Sequence, residues 1–263
     1  MSPPEQPVSH QPLAGFATSA TAGGHPRYSS SIPPRLAGSA GHGGAYLCLM
    51  PNPDSTEVAV FLDYQNSWHG TRARFGNPDF DPPTVGHVHP DLLGELLCEH
   101  GRTVDPQRLL SQVHVYRGRP GWQSHRDLRV AFDRQTARWT RLPGVSFHTR
   151  NMRYQATGWS TTGEVTNWVG QEKGIDVLLA LDLVRGARLD LYDVAVVVSG
   201  DTDLFPAIEE AMSLGKRVER ALWWKPPVRK RALHLRGRAV WTHYLDEADF
   251  GTVRDDTNYL SKL

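Results

Sequence analysis

The chain has 263 residues, 39% of them hydrophobic, and a formal net charge of +1. This length allows one large or two small domains with a sizeable core, which excludes a small scaffold that depends on disulfides or metal. No apolar run approaches the roughly 18 residues that a membrane span needs, and the N-terminus lacks a charged segment followed by an apolar one. We therefore expect a cytoplasmic protein without membrane association.

The charge is strongly segregated along the chain. Residues 102–154 contain eleven Arg and three Asp, and residues 214–238 contain nine Lys or Arg and one Glu. Each segment has a net charge of +8, which leaves −15 for the remainder of a chain whose total is +1. Basic flanks around acidic residues indicate a polyanion together with a cation. Solvated helix faces are an equally simple explanation of the basic segments.

Composition divides the chain into three parts. Residues 1–55 are rich in Pro, Gly, Ser and Ala and lack apolar periodicity, which predicts a disordered tail with room for a partner site. Residues 56–250 are expected to form the folded domain. Residues 251–263 are expected to form a C-terminal tail.

The first predicted elements of the domain are a buried strand and a helix. Residues 58–63 form a continuous apolar run that ends in an acid, which is typical of a strand covered by helices on both faces. The pattern therefore indicates a parallel sheet. A helix is predicted from His89 to about His100, and Gly101 ends it.

The rest of the domain alternates between predicted strands and helices. Strands are predicted at 113–117, 145–148, 194–198 and 218–222. Helices are predicted at 125–141 and 174–185, the second almost wholly buried, and a third begins at Asp203 as N-cap and ends at Gly215. Residues 233–250 form a less regular end. This alternation predicts a doubly wound α/β fold.

Acids follow two of the most hydrophobic strands. Asp63 ends the first strand, and Asp201 and Asp203 follow strand 194–198. Ligands of open parallel α/β sheets bind outside the carboxyl ends of the strands, so we expect these acids at one edge, with Asp176 as a fourth. Neighbouring carboxylates repel one another and favour Mg²⁺ or Mn²⁺, which indicates metal-assisted phosphodiester hydrolysis. Taken alone, Asp203 is more simply explained as a helix cap.

Three separated motifs carry a family resemblance. They are residues 61–66 (FLDYQN), 173–182 (KGIDVLLALD) and 199–206 (SGDTDLFP). In this order and spacing they resemble the NYN domain, of the LabA-like type, within the PIN-like ribonuclease superfamily. The resemblance covers about residues 57–250. It implies a three-layer PIN-like α/β domain with a mainly parallel central sheet, and divalent-metal-dependent cleavage of RNA.

The resemblance also implies roles for particular residues. The acids that would hold Mg²⁺ or Mn²⁺ are Asp63, Asp176, Asp201 and Asp203. Asn66 would be the polar residue beside Asp63, and Lys173 would meet a phosphate. Asp182 also matches the pattern, but it lies six residues after Asp176, about 120° away around a helix. We therefore expect Asp182 to be a hydrogen-bonded or paired buried acid.

The first basic segment supplies candidate RNA contacts. These are Arg117, Arg119, Arg150 and Arg153, which alternate with aromatic residues, a combination that suits single-stranded nucleic acid. The aromatic residues could equally belong to the core. The sequence thus predicts a metal-dependent ribonuclease, with RNA as its partner. The alternative is a catalytically silent RNA-binding or regulatory interaction module, and the sequence is compatible with a homo-oligomer.

Overall fold

A computed structural model describes residues 54–77, 81 and 85–260 of the chain. All of these residues belong to the unit that spans Leu49–Leu263. The predicted disordered tail, residues 1–55, lies outside the described residues except for its last two positions.

Ten strands and six α-helices form the described domain. The strands are β1 Thr56–Asp63, β2 Arg108–Arg119, β3 Val145–Asn151, β4 Arg153–Trp159, β5 Val165–Gln171, β6 Val194–Val198, β7 Arg217–Trp223, β8 Leu233–Leu235, β9 Arg238–Val240 and β10 Thr242–Leu245. The helices are α1 Tyr64–Phe75, α2 Pro90–Arg102, α3 Arg126–Trp139, α4 Ile175–Arg188, α5 Phe205–Ser213 and α6 Glu247–Val253.

Six of these strands form one sheet in the order β10-β7-β6-β1-β2-β3, and every neighbouring pair is parallel. From β1 the chain first builds outward through β2 and β3, and later returns to the other side of β1 through β6. The strand order therefore reverses between β1 and β6, which is where such sheets bind ligands. The predicted parallel sheet is confirmed.

Alternate residues of the central strand face two different helical layers. Val58, Val60 and Leu62 belong to a core that includes residues of α1, α2, α3 and α6. Ala59 and Phe61 belong to a second core with residues of α4 and α5. A helical layer on each face of the sheet gives the three-layer α/β architecture expected for a PIN-like domain.

Helix α4 differs from its prediction as a buried helix. Ile175, Leu179 and Leu183 are buried against the sheet, whereas Val177 and Leu181 are 54% and 57% exposed. The helix carries apolar residues on all of its faces, but only one face packs against the core. Its composition alone therefore led to an overestimate of its burial.

Helix α1, the β4–β5 hairpin and the packing of the C-terminal residues were not anticipated. Strands β4 and β5 pair as an antiparallel hairpin in which no residue is fully buried, so it lacks the buried apolar face that identifies a strand. Beyond residue 250, helix α6 ends at Val253, and Asp255 and Tyr259 are buried. Within the stretch predicted as a C-terminal tail, Val253, Asp255 and Tyr259 are thus packed on the domain.

A buried ion-pair cluster connects three strands of the sheet. Arg108 in β2 donates two hydrogen bonds to the Glu219 carboxylate in β7, and His243 Nε2 in β10 lies 2.9 Å from Glu219 Oε2. All three side chains are about 1% exposed. Gly101 makes room for this cluster, because a Cβ there would lie 2.0 Å from Arg108 Nη1.

The cluster shifts the pKa of its carboxyl group. Burial by itself raises the pKa of Glu219, but the hydrogen bonds from His243 and Arg108 outweigh burial and hold it below the usual value. Glu219 therefore stays ionised inside the core.

None of the helices in the part of the chain described above combines the length and the apolar character that a membrane crossing requires.

Candidate active site

An open cavity of about 230 Å³ lies at the carboxyl edge of the sheet, beside the point where the strand order reverses. Its polar lining residues are Asp63, Gln65, Asn66, Glu172, Asp176 and Asp201. Three of the four predicted acids therefore meet at one cavity, together with Asn66. The cavity also contains Glu172, a carboxylate that sequence reasoning missed.

Asp63 is fixed by hydrogen bonds from two elements. It is the last residue of β1 and caps α1, because its Oδ1 accepts from the backbone N–H of Asn66 at 3.2 Å. Its Oδ2 accepts from Ser199 Oγ at 2.8 Å. Burial raises the pKa of the Asp63 carboxyl, the two hydrogen bonds oppose that rise, and the nearby charges of Asp201 and Asp176 add to it.

The turn after β6 is joined to the start of α1. The backbone N–H of Gly200 donates to Asn66 Oδ1 at 2.9 Å, and the N–H of Asp201 donates to Ser199 Oγ at 3.1 Å. Asn66 and Ser199 therefore hold the carboxyl ends of β1 and β6 in register, which fixes Asp63 relative to Asp201.

Asp201, and not Asp203, caps the turn after β6. Asp201 Oδ1 accepts from the backbone N–H of Asp203 at 2.9 Å, at the start of a single 3₁₀ turn that leads into α5. Asp203 was predicted as the N-cap of the helix, but α5 begins at Phe205 with Leu204 as its N-cap, and the only capping side chain here, Asp201, serves the 3₁₀ turn before it. Asp203 is exposed and does not line the acidic cavity.

Glu172 enters the cavity from the end of the β4–β5 hairpin. Its Oε1 accepts from the backbone N–H of Gly118 at 2.5 Å, and a Cβ at Gly118 would collide with that oxygen at the same distance. Burial raises the pKa of Glu172, the Gly118 hydrogen bond opposes that rise, and the charge of Asp63 adds to it. The only signal in the sequence was its position directly before Lys173 and Gly174.

The start of α4 supplies the fourth carboxylate. Gly174 precedes the helix with φ +73°, a left-handed conformation that favours glycine, and turns the chain so that Asp176 lies in the first helical turn. Asp176 is exposed at the cavity. Lys173 is exposed beside this turn and does not line the cavity.

The carboxylates of this cavity form no ion pairs in the described domain, although the charge of Arg117 opposes the rise in the pKa of Glu172. No described Lys, Arg or His side chain forms an ion pair with these four carboxylates, although 17 such pairs occur elsewhere in the described domain. Oxygen donors of this kind suit Mg²⁺ or Mn²⁺. However, within residues 54–77, 81 and 85–260 no three acidic, histidine or cysteine side chains come close enough together to hold one ion.

The metal geometry expected from the sequence is thus not preformed. Asp63, Asp176 and Asp201 border one cavity without converging on one point, and Asp203 lies outside it. The donor chemistry still fits Mg²⁺, because this ion keeps several waters and commonly binds proteins through only one or two carboxylates plus substrate phosphates.

Asp182 is paired as expected. It accepts hydrogen bonds from Tyr116 Oη at 3.3 Å and from Arg185 Nη1 at 3.2 Å, and its Oδ2 lies 3.4 Å from His148 Nδ1. Its side chain is 16% exposed and does not reach the acidic cavity. Asp182 therefore belongs to the packing of α4 on the sheet.

The four predicted RNA-binding arginines occupy two kinds of environment. Arg117 is half-buried, with its guanidinium 4.7 Å from the ring centre of Tyr64, in a separate cavity of about 360 Å³. Arg119 forms an ion pair with Asp133 at 2.9 Å. Arg150 and Arg153 are exposed and have no ion pair within the described part of the chain.

The comparisons with known proteins agree with this architecture. The family model of the NYN domain matches residues 57–235, so the chain belongs to the NYN domain family. This family is part of the PIN-like nuclease superfamily, and the chain therefore has a nuclease-type fold.

Individual proteins add little to the family assignment. No curated protein matches the sequence. The crystal structure of a protein of unknown function from Vibrio parahaemolyticus is similar to this chain, with 16% identity and a TM-score of 0.39. That similarity covers 65% of this chain and 84% of the Vibrio chain.

Proposed function

We propose that this protein is a divalent-metal-dependent ribonuclease that hydrolyses phosphodiester bonds of RNA. One observation carries the proposal: four carboxylates from three separate parts of the chain border a single open cavity, and none of them forms an ion pair within the described domain. Such a concentration of unpaired charge at the ligand-binding edge of a nuclease-type fold calls for a cation.

Each residue of the cavity has a role in this proposal. Asp63 and Asp201 would hold Mg²⁺ or Mn²⁺ from the ends of β1 and β6, with Asp176 at the rim. When bound, the ion would polarise the phosphate and lower the pKa of an attacking water. Ser199 and Asn66 keep the two strand ends fixed, because they accept or donate across the turn at 2.8–3.1 Å. Asp203 would contribute only its backbone N–H, which donates a hydrogen bond to Asp201 Oδ1 and so fixes the position of that carboxylate.

Glu172 differs from Asp63 in keeping one carboxyl oxygen that accepts no hydrogen bond from the described domain. Burial and the charge of Asp63 raise its pKa, and its Oε1 is already engaged by Gly118. Its Oε2 therefore remains to donate or accept a proton at the cavity, which is the role of a general acid or base.

Exposed basic residues near the cavity suit the RNA backbone. A Cβ at Gly174 would lie 3.5 Å from Arg150 Nη1, which places this guanidinium beside the start of α4. Lys173 and Arg153 are exposed in the adjoining segments. In this proposal these three side chains contact phosphates, whereas Arg119 is held by Asp133.

A second candidate function is a catalytically silent RNA-binding or regulatory interaction module. It is favoured by the finding that no three metal-binding side chains of the described domain converge on one point. The two candidates make opposite predictions about metal, because a binding module holds RNA without turnover whether or not a divalent ion is present.

The deciding experiment measures cleavage of a labelled single-stranded RNA by the full chain, with Mg²⁺, with Mn²⁺ and with EDTA. We expect cleavage only with a divalent ion. Asp201→Asn and Glu172→Gln should each reduce it by more than about 100-fold, since even outer-shell partners of metal ligands are worth about 10–100-fold. Glu247→Gln is the matched control, because Glu247 is an exposed acid paired with Lys225. RNA binding without cleavage in any metal would favour the silent module.

A further inference from the structure

The second basic segment lines a cavity that the proposed cleavage does not use. This cavity, of about 370 Å³, lies at the carboxyl end of β7. Its charged lining residues are Arg74, Arg220, Arg229 and Arg231. No acidic residue lines it, so four guanidinium groups surround the same space without a carboxylate among them.

These arginines lack acidic partners, although Arg220 shares a side-chain hydrogen bond with Tyr244. None of the four forms an ion pair within the described domain. Arg74 Nη1 donates to Gly70 O at 3.4 Å and Arg220 Nη2 to Thr242 Oγ1 at 3.5 Å, which are both long hydrogen bonds. The Nε atoms of Arg74 and Arg220 are buried and have no hydrogen-bond partner. Arg74 and Arg220 are partly buried, and a partly buried cation without a countercharge destabilises a fold unless a ligand supplies the opposite charge.

The arginine cavity and the acidic cavity are linked through shared lining residues along the carboxyl edge. A small cleft of about 70 Å³ lies between them. The cleft shares Asn66 with the acidic cavity, and it shares Arg74 and Trp223 with the arginine cavity. A negative and a positive cavity therefore follow each other along one edge of the sheet.

The aromatic residues of the arginine cavity are already occupied. Lys230 Nζ lies 4.3 Å from the ring centre of Trp224 and 5.4 Å from that of Tyr244. These contacts add positive charge and cover ring faces on which a base could stack. The cavity therefore offers charge rather than a stacking platform.

We propose that the arginine cavity binds phosphate groups of the RNA strand whose scissile bond lies in the acidic cavity. This inference rests on the proposed function. The planar guanidinium fork matches the geometry of phosphate oxygens and binds them through two parallel hydrogen bonds. A strand held by its phosphates in the arginine cavity passes the cleft at Asn66 and reaches the carboxylates, so the subsite positions RNA for cleavage.

The test is the salt dependence of RNA binding by the full chain in EDTA, where cleavage does not interfere. The variant is Arg229→Ala/Arg231→Ala, since both side chains are exposed and their removal leaves the core intact. We expect weaker binding and a salt slope smaller by about 1.4, because each phosphate contact on a single strand contributes about 0.7. With metal present, KM should rise while kcat stays unchanged.

The matched control is Arg185→Ala/Arg188→Ala, which removes the same charge from exposed positions in the last turns of α4, away from Asp176. This control should leave the slope close to that of the wild type. Each protein is measured with RNA that carries either a 5′-hydroxyl or a 5′-phosphate. If the variant loses equal affinity for both RNAs, the cavity binds backbone phosphates. If it loses affinity only for the RNA with the 5′-phosphate, the cavity binds a terminal phosphate. Either result supports the subsite.

Two results would overturn the inference. One is an unchanged affinity and slope of Arg229→Ala/Arg231→Ala with both RNAs, and the other is a loss that the control variant reproduces in full. Failure of the proposed function looks different: the wild type would bind RNA through these arginines in EDTA but would not cleave it in Mg²⁺ or Mn²⁺.

Discussion

The sheet carries two groups of ionisable side chains, one in which the carboxylate forms ion pairs and one in which the carboxylates form none within the described residues. In the cluster of Arg108, Glu219 and His243, the carboxylate has a cation and a histidine within 2.9 Å, and all three side chains are buried. In the acidic cavity, Asp63 and the three other carboxylates form no ion pair in the described domain. The pKa of Glu219 is accordingly lowered, whereas that of Asp63 is raised.

The difference distinguishes charges that stabilise the fold from charges that are available to bind a ligand. The paired cluster in the core connects β2, β7 and β10, and its carboxylate finds its countercharge within the protein. Unpaired carboxylates destabilise the fold that holds them, and they remain available for a cation from solution. The same physical argument assigns the arginine cavity to a ligand of opposite sign.

The largest expected effect comes from breaking the paired cluster. Glu219→Gln removes the countercharge of Arg108 and should lower the free energy of unfolding by about 3 kcal/mol, the lower end of the range for a broken buried pair. The lower end applies because Asp105 Oδ2 lies 3.8 Å from Arg108 Nε. Urea unfolding measures this loss. A change below about 1 kcal/mol would mean that the cluster behaves like a surface pair.

A second prediction concerns the addition of metal. Mg²⁺ or Mn²⁺ at about 100 times its dissociation constant should stabilise the wild type by about 2.7 kcal/mol. Thermal unfolding with and without EDTA measures the increment. Asp201→Asn should lose most of it, whereas Glu219→Gln should retain it in full despite a lower melting temperature. Equal increments in both variants would show that the ion binds elsewhere.

A third prediction concerns the pH dependence of stability without metal. The pKa of Asp63 is raised above its unfolded value of 3.8, so its stabilising contribution is present below that value and is lost as pH rises through the folded pKa. Asp63→Asn can still cap α1, and its stability relative to wild type should therefore rise from pH 4 to pH 7.

The paired cluster supplies the opposite control for this measurement. The pKa of Glu219 is lowered, so its contribution is present above the unfolded value of 4.5 and is lost as pH falls through the folded pKa. Glu219→Gln should thus lose stability relative to wild type as pH rises. Parallel pH profiles for the two variants would contradict the contrast between paired and unpaired carboxylates.

The smallest expected effect concerns the exposed arginines. Arg150→Ala/Arg153→Ala should lower the salt slope of RNA binding by about 1.4, with a change in unfolding free energy within about 0.5 kcal/mol. A filter-binding salt series measures the slope. An unchanged slope would show that these two side chains only face solvent.

Much of the fold was determined by local sequence patterns. The apolar runs that end at Asp63 and Val198 identified β1 and β6, because a strand covered on both faces must be hydrophobic throughout. The three motifs identified the family, which the family model confirms over residues 57–235. The exposed β4–β5 hairpin gave no such signal, since its side chains mostly avoid the core.

The composition of the site depended on tertiary structure. The sequence alone placed Asp63 and Asp201 at one edge, because parallel strands share the direction of their carboxyl ends. It could not show that Glu172 joins them, since that contact depends on how the hairpin returns to Gly118. Nor could the sequence show which arginines are free to bind RNA: Arg117 lies among aromatic rings, and Arg119 is paired with an acid. It also could not show that Arg74 and Arg220, which are 146 residues apart in the chain, line the same cavity. Local patterns determine what each element buries, but only the packed sheet decides which charges find partners.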